Sequence, residues 1–205
     1  MFPDKAYREA PAFAEAYIQA MNAAAAAIDF AAVDRAAALL QKTIEADGTI
    51  LACGNGGSAA ISNHLLCDFA KGMQSDTALR PKVIGLSAQI ELITAIANDI
   101  SYDDVFLFQL KTAARLGDVL LTISSSGDSE NIVRAIAWAK ENGVATIALT
   151  GFDGGRSAKL ADINIHVPAF NYGVVEDLHQ SCMHILAQFM RMRNMPEELV
   201  RVRKF

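Results

Sequence analysis

The sequence of 205 residues predicts an α/β protein built on a doubly wound parallel sheet. Three observations support this fold class. Five short apolar runs are rich in β-branched residues and bounded by Gly, Asp or Ser, helical patterns separate them, and their spacing is that of right-handed β–α–β units. The predicted strands cover residues 49–53, 82–86, 119–123, 144–149 and 163–167.

Helical periodicity accounts for most of the remaining chain. The first 46 residues carry Ala, Leu, Ile and Phe at helical spacing and predict two helices that separate within residues 29–34. Further helices are predicted over 59–70, 89–97, 105–116, 129–142 and 176–192. We therefore predict an N-terminal helical extension (1–46) that packs on the domain and on neighbouring subunits, the α/β domain (47–193) and a C-terminal tail (194–205).

Composition narrows the class of partners. With 52% hydrophobic residues the chain can bury a substantial core, and its net charge of −5 argues against nucleic-acid binding. No apolar run is long enough to cross a membrane, and the first residues lack a secretion-signal pattern, so we expect a cytoplasmic protein. Cys53, Cys67 and Cys182 match neither a disulfide framework nor a metal knuckle and are predicted to be buried free thiols.

The first predicted strand runs into a Gly-rich turn formed by Asn55, Gly56, Gly57 and Ser58. Glycines let the backbone turn tightly and approach a ligand, and the free amides of the following helix attract an anion. An ordinary strand-to-helix turn capped by Ser58 would also explain this pattern. The segment is therefore a candidate ligand site that needs further support.

That support comes from a second turn, after the third predicted strand, which contains Ser124, Ser125, Ser126 and Ser129. One serine would suffice to cap the next helix, whereas four hydroxyls beside helix amides form a good cradle for a phosphate. Ligands of open α/β sheets bind at the carboxyl ends of the strands, where both turns lie. Neither turn has the GxGxxG or GxxxxGK[ST] pattern of nucleotide sites. We predict a small phosphorylated ligand.

Together these segments resemble the SIS (sugar isomerase) domain family and, within it, the phosphoheptose isomerases. The matching pieces are CGNGGS (53–58), His64 with Asp68, AIANDISYDD (95–104), ISSSGDS (123–129), ALTGFDGG (148–155) and HQSCMHIL (179–186). The resemblance implies a five-stranded, Rossmann/flavodoxin-like sheet and a homotetramer with active sites at subunit boundaries. It also implies phosphate binding by the four serines of the second turn and sugar contacts by residues matching Asn55, Gly56, Ser58 and Asp99.

The resemblance further implies an acid–base pair. Interconverting an aldose and a ketose through an enediol needs a base over the carbon and a second group that handles the oxygens. In the family a Glu on the first-turn helix is the base and a His on the last helix is the acid, which match Asp68 and His184. Some members bind zinc through this pair, a His matching His64 and a Gln matching Glu176. Two imidazoles and two carboxylates suit zinc chemically, and an open position would polarise the substrate oxygens.

Two departures leave the identity of the base open. Asp68 is one methylene shorter than the family's Glu, and the family's Arg-Ile-Gln-Glu reads Val-Val-Glu-Asp at residues 174–177, which removes an Arg and adds a carboxylate. Alignment favours Asp68 as the base, whereas side-chain length favours Glu176. His64 and Asp68 are four residues apart and therefore share one face of their helix. Glu176, Gln180 and His184 follow one another at intervals of four residues and share one face of the last helix.

We therefore predict a phosphosugar isomerase that converts sedoheptulose 7-phosphate to D-glycero-D-manno-heptose 7-phosphate for lipopolysaccharide or capsule precursors. Two alternatives stay open. One is a phosphosugar-binding regulatory or assembly protein of the same family without catalysis. The other is an isomerase of a different sugar phosphate, since the changes at residues 174–177 alter the site.

Overall fold

A computed structural model describes residues 1–205 and contains five strands and nine helices. The strands are β1 (Thr49–Gly54), β2 (Lys82–Gly85), β3 (Val119–Ser124), β4 (Ala145–Thr150) and β5 (Ile163–His166). The helices are α1 (Ala10–Ala26), α2 (Phe30–Glu45), α3 (Gly57–Cys67), α4 (Ile90–Asp99), α5 (Val105–Ala113), α6 (Glu130–Glu141), α7 (Gly155–Leu160), α8 (Tyr172–Arg193) and α9 (Glu197–Val200). None of these helices combines the length and apolar character needed to cross a bilayer.

All five strands pair in parallel, in the order β2-β1-β3-β4-β5. The chain starts in the sheet at β1, moves to one edge at β2, and then returns past β1 to fill the other side, which is the doubly wound arrangement. Each strand begins and ends within one residue of its predicted bounds. The predicted fold class is confirmed.

The two faces of the sheet carry separate hydrophobic cores because side chains alternate along each strand. Ile50 and Leu121 belong to the core shared with α2 and α8, whereas Leu51 and Leu120 belong to the core shared with α5 and α6. The buried stripe of α2 packs in the same core as β1. The division of the chain at residue 46 stays a prediction.

Helix ends explain where the structure departs from the predicted bounds. The side chain of Asp29 accepts a hydrogen bond from the amide of Ala31, so α2 starts inside the predicted break. Asn171 accepts from the amide of Val174 in the same way and starts α8 four residues before the predicted position of 176. The short helices α7 and α9 were not predicted.

The prediction for the three cysteines is correct for two of them. Cys53 and Cys182 are buried free thiols, and burial raises the pKa of both, that of Cys182 to about 11. Cys67 is exposed, so its predicted burial is wrong. It is the last residue of α3, on the side of the helix opposite the buried Leu65.

Candidate active site

A pocket of about 330 Å³ lies at the carboxyl edge of the sheet, where β1 and β3 end side by side. Every predicted substrate-binding residue except Asp99 lines it, together with Glu176 and Tyr172. The lining residues are Asn55, Gly56, Gly57, Ser58, Ser124, Ser125, Ser126, Ser129, Tyr172 and Glu176. Asp99 is exposed at the end of α4, where it accepts a hydrogen bond from the Asn98 side chain.

The first turn brings main chain close to the pocket. Gly56 has a φ of +54°, which side-chain-bearing residues rarely adopt. A Cβ atom on Gly57 would collide with the carboxylate of Glu176, so a larger residue here would force the Glu176 side chain to move. Ser58 is buried at the start of α3 beneath the turn. The main chain of the first turn and the carboxylate of Glu176 therefore lie side by side in the pocket.

The second turn supplies hydroxyl groups. The Ser124 and Ser126 oxygens each accept from a backbone amide, of Gly127 and Asp128, at 3.2 Å, which leaves their own hydrogens free to donate. The Ser125 hydroxyl is buried and has no partner, and Ser129 does not cap α6 through its side chain. Capping therefore does not account for these serines, and a buried unpaired hydroxyl indicates a ligand group or water.

The turn after β4 supports the serine turn from behind. The amides of Gly151 and Ser157 donate to the carbonyls of Ser125 (3.0 Å) and Gly127 (2.8 Å). The Arg156 guanidinium hydrogen-bonds the Asp128 carboxylate at 2.5 Å and that of Glu130 at 2.8 Å. The bond from Arg156 lowers the pKa of Asp128. These contacts fix the turn without placing a cation in the pocket.

Glu176 is the one ionisable carboxylate that lines the pocket. Its side chain is half-buried, and no hydrogen bond contributes to the shift of its pKa. Burial raises the pKa of this carboxyl, and the neighbouring Asp177 carboxylate adds to the shift. Desolvated and unpartnered, the carboxylate is in an environment typical of a general base.

A second cluster joins α3 to α8. Asp68 begins a π-helical turn (Asp68–Gly72) at the end of α3 and accepts from His184 Nδ1 at 2.8 Å. His64 Nε2 lies 3.5 Å from the other oxygen of Asp68. Gln180 Nε2 lies 2.8 Å from His184 Nε2. When the Gln180 amide donates there, His184 is the neutral tautomer that donates through Nδ1 to Asp68.

Three of the four predicted metal ligands come together in this cluster. Potential ligand atoms of His64, Asp68 and His184 all lie within 4.8 Å of one another. Two imidazoles and one carboxylate form a donor set typical of catalytic zinc. Glu176 lies apart from them, against Gly57. The contact between Gln180 and His184 was not predicted, although their i, i+4 spacing indicated it.

Sequence reasoning missed three further residues at this edge. Tyr172 lines the pocket but lies before the predicted start of the last helix. Asn131 and Tyr102 both hydrogen-bond the side chain of Asn55. Asn131 lies at the start of a predicted helix, where a polar residue is ordinary. Tyr102 belongs to the AIANDISYDD segment (95–104) that matches the family, but no contact was predicted for it.

The two turns meet at the carboxyl edge of a doubly wound sheet, and a His–Asp cluster joins α3 to α8, which together define an α/β protein with a polar pocket at the strand ends. The model of the SIS domain family matches residues 13–151. A phosphoheptose isomerase of Escherichia fergusonii is 38% identical over 160 residues, which cover 78% of this chain and 82% of the relative. The chain therefore belongs to the SIS domain family and groups with its phosphoheptose isomerases.

Solved structures agree with this assignment. The phosphoheptose isomerase of Neisseria gonorrhoeae is 34% identical with a TM-score of 0.79, over 88% of this chain and 95% of that one. The enzyme from Francisella tularensis is 30% identical with a TM-score of 0.81, over 89% of this chain and 96% of that one. The predicted family is confirmed.

Proposed function

We propose that the protein is a phosphosugar aldose–ketose isomerase that converts sedoheptulose 7-phosphate to D-glycero-D-manno-heptose 7-phosphate. One observation carries the proposal: backbone, four serine hydroxyls and an unpartnered carboxylate line a single pocket. The relatives named phosphoheptose isomerase give the substrate class. The heptose 7-phosphate formed in this reaction would be used to make lipopolysaccharide or capsule precursors.

Phosphate binding is assigned to the serine turn. Ser124, Ser125, Ser126 and Ser129 lie at the N-terminus of α6, so hydroxyl and main-chain donors surround one position. No Lys or Arg lines the pocket. Neutral donors that are fixed before the ligand arrives can hold an anion in a protein whose net charge is −5.

Proton transfer is assigned to Glu176 rather than Asp68. The Asp68 carboxylate is occupied by two imidazoles, whereas that of Glu176 lines the pocket with no partner and a raised pKa. Glu176 would remove the proton from one carbon, give an enediol, and return it to the neighbouring carbon. His184, oriented by Asp68, lines a separate pocket of the same chain. It would therefore exchange protons with the substrate oxygens only across a subunit boundary, where the family resemblance implies that the active sites lie.

We infer that His64, Asp68 and His184 can hold a divalent metal, zinc by the chemistry of the donor set. In that state His184 would be a ligand, and the ion rather than His184 would act on the substrate oxygens. When bound, such an ion acts as a Lewis acid toward substrate oxygens. The predicted fourth ligand, Glu176, acts as the base in this proposal, and three protein ligands leave the open position that catalytic zinc sites have.

Assembly with copies of the same chain is also part of the proposal. Large apolar side chains are exposed on helices outside the pocket, among them Phe13 and Ile18 on α1 and Phe30 on α2. Such surface favours subunit contacts, and a homotetramer in the cytoplasm is the expected state. Light scattering coupled to gel filtration would give about four times the chain mass of 22.0 kDa; a monomer would contradict it.

The decisive assay incubates the purified protein with sedoheptulose 7-phosphate in D₂O. We expect an aldose heptose 7-phosphate and deuterium on the carbon that receives the proton. Binding without product or exchange would contradict catalysis and support the phosphosugar-binding alternative. Turnover confined to another ketose or aldose phosphate in a parallel panel would change the substrate and keep the reaction.

A further inference from the structure

Asn131 reaches from one phosphate-type turn to the other. It lies in the first turn of α6, two residues after Ser129, and is 1% exposed. Its side chain forms a reciprocal amide pair with Asn55 of the first turn. Asn55 Nδ2 donates to Asn131 Oδ1 at 2.9 Å, and Asn131 Nδ2 donates to Asn55 Oδ1 at 3.0 Å.

A third side chain completes the arrangement. The Tyr102 hydroxyl donates to Asn55 Oδ1 at 3.0 Å. A carboxamide oxygen accepts two hydrogen bonds and its nitrogen donates two. The Asn55 oxygen is therefore fully used by protein groups, whereas one N–H of the same side chain has no partner. Since Asn55 lines the pocket, that N–H is the group it can offer to a ligand.

The geometry points to Asn131 as a positioning residue that, with Tyr102, fixes the Asn55 carboxamide so that it presents a donor and no acceptor to the ligand. The inference rests on the proposed function and deepens it. A fixed donor selects ligands with a carbonyl or hydroxyl oxygen at that point. Because Asn131 belongs to the helix that follows the serine turn, it also holds the two turns in register.

A purely structural role for Asn131 makes a different prediction. A buried polar residue that only stabilises α6 would lower the free energy of unfolding and impair the enzyme whether or not Asn55 is present. A positioning residue acts through Asn55, so its removal has no further effect once the Asn55 side chain is absent. A double-mutant cycle separates the two roles.

The cycle uses Asn131→Leu, Asn55→Ala and the double variant, with Asn142→Ala at the other end of α6 as the control. We expect Asn131→Leu to lower kcat/KM and sugar-phosphate affinity by about tenfold, as for a lost hydrogen bond. In the Asn55→Ala background the same change should alter either quantity less than about twofold. Asn142→Ala should match the wild type. Equal losses in both backgrounds would overturn the inference.

A milder variant guards against misfolding. Tyr102→Phe removes only the second donor to Asn55 Oδ1 and introduces no charge. We expect it to lower affinity about threefold to fivefold, less than Asn131→Leu. Affinity identical to the wild type would count against the inference.

Failure of the proposed function is distinguishable from failure of this inference. If wild-type protein neither binds nor converts any sugar phosphate, the proposed function fails. A crystal structure of Asn131→Leu then tests the inference without a ligand. A reoriented Asn55 side chain supports the positioning role, and an unchanged one overturns it.

Discussion

The serine pocket and the His–Asp cluster lie on the same side of the sheet but are built in different ways. The pocket is formed mainly by two short turns whose ends are adjacent in the β1–β3 pair. The cluster joins α3 to α8 through Asp68 and His184, which are 116 residues apart in sequence. One site is set by backbone conformation, and the other by how two helices pack.

This difference distinguishes Asp68 from Glu176, the two carboxylates that the sequence leaves as alternative candidates for the base. Asp68 is held by two imidazoles, an environment suited to orienting a His or binding a metal. Glu176 has no such partner and shares the pocket with the serine hydroxyls that we propose bind phosphate. A carboxylate that must take a proton needs a free lone pair within reach of the carbon. The contrast therefore assigns different roles to the two groups.

Replacing the base gives the largest expected effect. Glu176→Gln keeps the size of the side chain and removes its basicity, so kcat should fall about 10³-fold or more. Asp177→Asn is the matched control, because that neighbouring carboxylate accepts from Tyr17 at 2.6 Å and lies outside the pocket lining. Steady-state kinetics on both variants provides the test. Retention of near-normal kcat by Glu176→Gln, with a large loss in Asp68→Asn, would reverse the assignment.

A buried histidine on the same helix sharpens the contrast with His184. His179 is fully buried, and burial lowers its pKa from 6.5 to about 4, a shift that a contact with the Thr150 backbone offsets only in part. Above pH 6.5 the His179 imidazole is neutral in both the folded and the unfolded state. As the pH falls from 6.5 to 4, only the unfolded state takes up the proton, so folding stability drops by up to about 3 kcal/mol.

The variant His179→Leu removes this dependence. Urea unfolding at pH 7.5 and pH 4.5 should show a smaller loss of stability at low pH in the variant than in the wild type, by about 2–3 kcal/mol. The quantity compared is the change with pH within each protein, so a general shift in stability does not affect it. An equal loss of folding stability at low pH in both proteins would contradict the prediction, because it would show that His179 can be protonated in the folded state at little cost.

Disruption of the His–Asp cluster gives the next largest expected effect. Asp68→Asn removes the carboxylate that orients His184 and belongs to the metal donor set, so kcat should fall about 100-fold and metal content should drop. Elemental analysis of freshly purified wild type and variant measures the second effect. Glu91→Gln, an exposed change on α4, is the control. Wild-type protein that lacks metal and is indifferent to a chelator would remove the metal from the proposal.

Local patterns explain how much of this architecture was predictable. The five strands were predicted to within one residue because a strand is a short run of apolar, β-branched residues between turn formers. The two turns were predicted because each is a cluster of a few consecutive residues, glycines in the first and serines in the second, directly after a strand. Their meeting in one pocket follows from the rule that parallel strands end at one edge.

What was missed depends on the rotation of helices and on distant contacts. Glu176 and His184 share a helix, but eight residues separate them by about 12 Å along the axis and about 80° around it. Each side chain therefore has different neighbours, which spacing alone cannot predict. The exposure of Cys67 and of Asp99, and the pairing of Asn131 with Asn55, likewise follow from packing between elements.

The smallest effect is expected from the pocket itself, because several donors share the phosphate. Ser129→Ala removes one hydroxyl that does not cap α6, so KM should rise about tenfold with kcat nearly unchanged. Ser181→Ala is the control, because its exposed hydroxyl donates to the Asp177 carbonyl on α8 and lies outside the pocket lining. A fall in kcat with unchanged KM would place Ser129 at the reacting carbons, and the division between binding turns and a separate acid–base cluster would then be wrong.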